Sequence, residues 1–325
     1  MSPTSSSTLA PDAPASSAPA PAPRGALPRR RPSVVRWYRR GGLVPVLFAV
    51  PGILAFAYFS WGPIVSGAIM GFQRTNLIDD ATWVGLTNFT YVLSDPVLPQ
   101  AVANTVYFAV LGMVFGFPAP LVLAVYMAEL RRSRALFNTL AYLPVVIPPI
   151  VAILLWKYFY DPSPSGLFNE ILGAVGLGPF PWLNSSATAM PSIVLEVIWA
   201  TAGGTAIIYL AAITSVKPEL YEAVEIDGGG IWRRIWHVTL PQLRGVILAL
   251  VLLQLIGTLQ VFTEPYVFTG GGPDNATVTV LMLIYSYAFQ YGDYGAATAL
   301  SFLLALALAV VSVCYLLATR KWSKS

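Results

Sequence analysis

Charge is scarce in this chain: Asp, Glu, Lys and Arg make up 10% of its 325 residues, against roughly 25% in an ordinary soluble domain. Water is therefore not its main solvent. The single cysteine, Cys314, excludes an internal disulfide framework and a cysteine-based metal site, and its place in the last apolar run makes it a packing residue. The single histidine, His237, has no companion around which a metal or nucleophile constellation could form, and reads as a contact residue. No Gly-x-x-x-x-Gly-Lys-Ser/Thr run occurs, so any nucleotide the protein depends on must bind another polypeptide. Nothing in the sequence points to an enzyme or to a nucleic acid partner.

What the chain has in quantity is apolar sequence, 56% of all residues, with a mean hydropathy of +0.66. Because an unpaired backbone N–H or C=O in hydrocarbon is costly, apolar runs this long form helices or a closed barrel, and continuous rather than alternating runs choose helices. A hydrocarbon core about 30 Å thick takes roughly 20 helical residues. Six segments meet that length: Leu43 to Ser66, Val102 to Leu130, Leu136 to Tyr160, Ala189 to Ser215, Val246 to Tyr266 and Ala296 to Ala318. Val278 to Phe289 is too short to span and is expected to lie at the outer face or dip inward. The expected fold class is an all-α integral membrane protein with about six transmembrane helices.

Lysine and arginine set the orientation. With the N-terminus inside, cytoplasmic segments hold seven (Arg24 to Arg40), three (Arg131 to Arg134), four (Lys217 to Arg244) and three (Arg320 to Lys324), or 17 of the 19, leaving Arg74 and Lys157 outside. Both termini are then cytoplasmic. Residues 1–40 join a Ser/Pro/Ala tract, Met1 to Pro23, to the arginine cluster; neither builds a core, and a disordered cytoplasmic tail whose basic patch meets anionic lipid is expected. A signal peptide cut near Ala55-Phe56-Ala57 is the other reading, against which its length counts. The membrane domain occupies 41–320, and 321–325 is a cytoplasmic stub. Prolines 45, 51, 63, 118, 120, 144, 148 and 149 interrupt the first three spans and are read as kinks, which a chamber opening alternately to two sides also uses.

The loop Lys217 to Gly245 reads KPELYEAVEIDGGGIWRRIWHVTLPQLRG. Pro218 with Glu219, Glu222 and Glu225 suits a helix start, and the glycines at 228 to 230 stop that helix. A second short helix follows, with Ile231, Ile235 and Val238 on one face and Trp232 and Trp236 paired at i, i+4; Leu240-Pro241 is expected to end it before the fifth span. Such a helical hairpin outside the bilayer, with apolar residues uncovered, suits docking on a partner.

These residues carry a family resemblance. Glu222-Ala223-x-x-x-Asp227-Gly228 followed by Val238-Thr239-Leu240-Pro241 resembles the EAA signature of the membrane subunits of binding-protein-dependent ABC importers. Tyr221 and the Trp-Arg-Arg-Ile-Trp-His stretch resemble its carbohydrate branch, as does Val261 to Pro273, VFTEPYVFTGGGP, near the aromatic-acidic-x-x-x-x-Thr-x-Gly-Gly-Pro pattern. Apart from the tail, the layout fits along the whole chain. Departures are Val224 and Gly229, where alanine is usual, Ile235 for phenylalanine and Gly245 for proline.

The resemblance implies a type I ABC importer permease in a bacterial cell membrane, forming half a translocation pore, with 217–244 as the loop that couples it to a cytoplasmic ABC ATPase dimer. Glu222, Ala223, Asp227, Gly228, Trp232, Arg233, Leu240 and Pro241 would be the coupling residues. ATP and Mg would bind the ATPase, leaving no cofactor in this chain. A second, non-identical permease subunit, an extracellular solute-binding protein and a sugar or oligosaccharide are the remaining implied partners. Polar groups within spans mark the solute path: Glu196, Trp199 and Thr201 on the fourth, Gln254, Thr258, Gln260 and Glu264 on the fifth. Residues 196 and 199 share a helix face, as do 254 and 258; interhelical hydrogen bonding is the structural alternative. Tyr285, Tyr287 and Tyr291 read as interfacial anchors. A proton- or ion-coupled carrier would show an internal repeat and charge relays, and a membrane enzyme would show paired acids or a metal site; neither is evident.

Overall fold

The computed structural model describes residues 43–129 and 134–320. The expected tail 1–40, Arg131 and Arg132, and the stub 321–325 lie outside the described residues. The chain divides into two units, Met1–Ser60 and Trp61–Ser325. In the first the helix is α1 (Leu43–Phe56). The second holds α2 (Gly62–Met70), α3 (Thr87–Leu93), α4 (Leu98–Leu111), α5 (Pro118–Glu129), α6 (Arg134–Val146), α7 (Pro149–Phe159), α8 (Leu167–Gly173), α9 (Ala189–Thr214), α10 (Pro218–Ile226), α11 (Ile231–Arg234), α12 (Leu240–Thr258), α13 (Thr263–Thr269), α14 (Val280–Tyr285) and α15 (Tyr294–Thr319). The one departure from an all-α fold among the described residues is a two-residue ribbon, β1 (Gln73–Arg74) antiparallel to β2 (Thr82–Trp83).

Five helices are long and apolar enough to cross a membrane, at Pro45–Met70, Leu98–Glu129, Ala189–Thr214, Ile231–Thr258 and Tyr294–Thr319. The expected third span is instead two helices, Leu136–Val146 and Pro149–Phe159, bent by 99°. Counting that pair as one span gives six. Pro148 and Pro149 cause the break: neither offers an N–H, and Pro148 sits at ψ 134°, the extended conformation that a following proline favours. Val280–Gln290 is the short apolar helix expected near Val278 to Phe289.

Other prolines leave their helices unbroken. The π-helical turns Ala57–Trp61, Gly112–Gly116 and Ile235–Thr239 each end two residues before a proline, at 63, 118 and 241. A proline ring crowds the carbonyl four residues back, and a turn with i→i+5 bonds opens the ladder there. Leu240 accordingly donates its N–H to Ile235 O, and Phe117 donates to Gly112 O. The stop expected at Leu240-Pro241 is therefore absent, and the helix that carries the fifth span runs on from Ile231, in the hairpin, rather than starting near Val246. That helix ends at Thr258 rather than Tyr266, and Glu264 lies on the separate helix α13.

The fourth span, α9, is the centre of the bundle, packing against α4, α5, α6, α7, α12 and α13. Gly203 permits the closest approach, since a Cβ there would stand 1.7 Å from Ala141 O of α6. Small residues at such crossings let membrane helices meet backbone to backbone. Ala124, Met127, Ala206, Tyr209, Ile213 and Leu243 form one buried cluster around α9; Phe108, Ile153, Trp156, Tyr160, Ile193 and Phe268 form another.

Candidate functional site

Polar side chains gather in two places. The first lies where α4, α5, α9 and α12 meet. Gly112 O accepts from Phe117 N at 3.0 Å and also from Gln254 Nε2 at 2.7 Å, so an amide on α12 closes on the π-helical turn. A Cβ at Gly112 would stand 3.0 Å from Thr258 Cγ2, and one at Gly116 3.1 Å from Gln254 Nε2. Gln254 and Thr258 therefore present one face of α12 to the α4–α5 junction, and both glycines leave the room in which they sit.

Beside this contact is a cavity of about 620 Å³ whose walls include Phe108, Thr201, Gln254, Thr258, Gln260, Phe262 and Glu264. A second, of about 390 Å³, is walled by Pro149, Ile153, Glu196, Ala200, Gly204 and Ile208. The two share Val197, Thr201, Thr205 and Glu264, so they adjoin. Six of the seven residues proposed from sequence for a solute path thus line one or other of two neighbouring cavities. Trp199 does not: its ring packs on Trp156 at 5.4 Å between centroids, and it lines neither cavity. Gln260 and Glu264 owe their place to the end of α12 at Thr258 and the start of α13 at Thr263. Broken helices at such depth are tolerated where they line a cavity.

Several of these groups also bond locally. Thr201 Oγ1 donates to Val197 O at 2.7 Å, Thr258 Oγ1 to Leu255 O at 3.1 Å, and Gln260 Nε2 to Ile256 O at 3.2 Å. Each hydroxyl keeps acceptor capacity after donating, and the Gln260 amide keeps its oxygen as an acceptor. Mixed hydroxyls, amides, a carboxylate and two phenylalanine rings make a wall suited to a polar ligand with apolar faces.

The second place is the hairpin of α10 and α11. Asp227 N bonds Ala223 O, Gly228 N bonds Glu225 O and Gly229 N bonds Val224 O, which closes the helix end. Gly228 takes φ +71°, where a side chain is strained. Gly229 is needed for a different reason: a Cβ there would stand 2.5 Å from Val224 Cγ1.

Arg234 fixes the hairpin to the bundle. Its Nη1 donates to Glu225 Oε1 at 2.8 Å and its Nη2 to Glu129 Oε1, at the end of α5, at 2.5 Å. Its guanidinium also lies 5.7 Å from the Tyr221 ring centroid, and Tyr221 Oη is 3.3 Å from Thr239 Oγ1. A cleft of about 420 Å³ separates hairpin and bundle, walled by Glu129, Tyr221, Glu222, Glu225, Arg234 and Thr239. Sequence reasoning put Arg233 among the coupling residues, took Arg234 only as a polar contact of the second short helix, and passed over Glu129. Arg233 is exposed and Arg234 partly buried, but the partner of Arg234 stands 105 residues away, and no local pattern signals it.

The outer side of the hairpin is apolar and uncovered. Ile226 is 85% exposed, Trp232 72% and Trp236 64%. Glu222, Ala223, Asp227, Gly228 and Pro241 are exposed as well, while Leu240 is half-buried.

A bundle of apolar spans with a largely apolar cavity carrying a few polar groups, and a braced hairpin at its end, is the form of a membrane permease subunit. The chain belongs to the binding-protein-dependent transport system inner membrane components, whose family profile matches residues 116–324. That stretch takes in α9, the hairpin, α12 and α13. The probable ABC transporter permease protein YurN of Bacillus subtilis is 35% identical over 80% of this chain and 90% of its own length. The arabinooligosaccharides transport system permease protein AraP of the same organism is 32% identical over 83% and 86%. Among solved structures, a bacterial ABC transporter involved in the import of the acidic polysaccharide alginate superposes with a TM-score of 0.77 at 28% identity, covering 88% of this chain and 99% of that one. The protein is thus a multi-pass membrane component of a binding-protein-dependent ABC importer with the type I permease fold.

Proposed function

We propose that this chain forms half of the translocation pore of an importer for a sugar or oligosaccharide, beside a second, non-identical permease subunit, and that a separate cytoplasmic ATPase dimer drives it through hairpin 217–244. The observation that carries the reading is the hairpin itself: Trp232 and Trp236 stand uncovered on its outer side while Arg234 anchors its inner side to α5. Uncovered tryptophans on a charged, braced element favour a protein partner. The count of lysine and arginine puts this hairpin and both termini on the cytoplasmic side. ATP and Mg belong to the ATPase. Its closure would draw two such hairpins together and reverse the access of the pore.

A carbohydrate is supported by the cavity, where hydroxyl, amide and carboxylate groups stand beside Phe108 and Phe262. Sugars present hydroxyls to the first and C–H faces to the second. The relatives point the same way: AraP is named for arabinooligosaccharides, and others for trehalose/maltose and for lactose. An extracellular binding protein would deliver the solute, and lipid would cover the apolar helix faces.

The test is uptake into liposomes holding this chain, its sister permease and the ATPase, with binding protein outside and ATP within. Accumulation of a labelled oligosaccharide that stops without ATP is expected. Accumulation driven by an ion gradient, or with this chain alone, contradicts the proposal.

A further inference from the structure

Gly112 O holds two donors. Phe117 N closes the π-helical turn on it at 3.0 Å, and Gln254 Nε2, from α12, adds a second bond at 2.7 Å. Gly112, Gly116 and Gln254 all wall the larger cavity, and Gln254 is half-buried, so its amide stands at the edge of that space and within reach of what enters it. A carbonyl with two lone pairs that already has one N–H can give up a second donor without being left unpaired. An oxygen of a solute offers the amide an equivalent acceptor. The Gln254 bond is therefore exchangeable, whereas the sole bond of a buried group is not. Both helices that it joins lead to the hairpin. From the turn, α5 runs to Glu129, which pairs with Arg234; from Gln254, one continuous helix runs back to Ile231.

We propose that Gln254 is a latch released by the solute: its amide holds α12 to the α4–α5 junction through Gly112 O, and exchange of that acceptor for a solute oxygen frees the two helices to move against each other and so reaches the hairpin. The inference rests on the solute path and the ATPase-coupling hairpin proposed above, and goes beyond them by naming the bond that links one to the other. It concerns how an occupied pore signals to the ATPase and not which solute is taken, so its test needs no solute.

The assembled complex of this chain, its sister permease and the ATPase, in lipid nanodiscs, is assayed for ATP hydrolysis with neither solute nor binding protein present. Gln254→Met fills the same space without a donor. Gly116→Ala keeps the amide but sets a methyl 3.1 Å from its nitrogen, crowding it off Gly112 from the opposite helix. Each is expected to raise solute-free hydrolysis about two- to tenfold over wild type, the scale on which one net hydrogen bond shifts an equilibrium. Damage to the fold alone would lower hydrolysis, so a rise is a readout that a merely structural role does not give. Should Gln254→Met fail to assemble, Gly116→Ala decides by itself. Solute-free hydrolysis at or below the wild-type rate in the assembled variants overturns the latch and leaves pore and hairpin as proposed. Hydrolysis by the ATPase that is the same with and without this chain overturns the coupling reading together with the latch.

Discussion

Arg234 Nη2 of the hairpin stands 2.5 Å from Glu129 Oε1 at the end of α5. Helix α5 follows directly from the π-helical turn Gly112–Gly116, on which Gln254 closes beside the cavity. The hairpin is thus tied to the cavity wall through the Arg234–Glu129 pair and α5, besides the continuous helix Ile231–Thr258. Arginine suits the position because its planar fork reaches Glu129 and Glu225 at once, whereas a lysine is a single point charge.

Loss of that tie should uncouple the two ends. Arg234→Ala is expected to slow ATP-driven uptake about tenfold or more while ATP hydrolysis by the assembled complex continues, with Arg234→Lys intermediate. Its readout is solute moved per ATP hydrolysed, measured together in liposomes. A variant in which uptake and hydrolysis fall in proportion would show that Arg234 only stabilises the fold.

Two departures from the family signature lie against one another in the hairpin. Val224 replaces a usual alanine, and Gly229, also usually alanine, leaves the space that Val224 Cγ1 occupies, 2.5 Å from where a Cβ would be. Gly229→Ala alone should destabilise the hairpin by about 1–3 kcal/mol, and adding Val224→Ala should recover a large part of the loss. Gly228→Val, at φ +71°, should cost about 1–3 kcal/mol whatever stands at 224. Uptake rates and hairpin proteolysis across this set give the cycle; additive losses at 224 and 229 would refute the compensation.

Adjacent glycines on α9 make a controlled pair. A Cβ at Gly203 would stand 1.7 Å from Ala141 O, whereas one at Gly204 would meet Val145 Cγ2 at an ordinary 3.6 Å. Gly203→Ala should force α9 from α6 and lower the thermal midpoint of the purified protein, costing about 1–3 kcal/mol or more, while Gly204→Ala should change it little. Equal effects would mean that the two helices do not cross at Gly203.

Span number and the hairpin were legible in the sequence because both rest on local signals, apolar run length and the Pro218, Glu222, Gly228 punctuation. Proline was less informative. Pro241 read as a helix end and the Pro148–Pro149 pair as a kink, yet a π-helical turn absorbs the first and the second bends its span by 99°. The difference lies in neighbours: a proline pair removes two donors in succession, and Pro149 restricts Pro148. The face shared by Gln254 and Thr258 followed from helical spacing. Trp199, chosen by the same spacing, lines neither cavity, because its ring packs on that of Trp156. Arg234 with Glu129 was invisible for want of any local sign of a long-range pair.

The proposed grip of hairpin 217–244 on a cytoplasmic ATPase is open to site-directed crosslinking. In a Cys314→Ser background, which removes the chain's single cysteine, Trp232→Cys is placed in the assembled importer and treated with a short thiol–amine crosslinker. Crosslinks to the nucleotide-hydrolysing subunit, with a yield that changes when ATP is bound, are predicted. Capture of the extracellular binding protein, or labelling of this cysteine by a membrane-impermeant reagent from outside intact cells, would contradict the account.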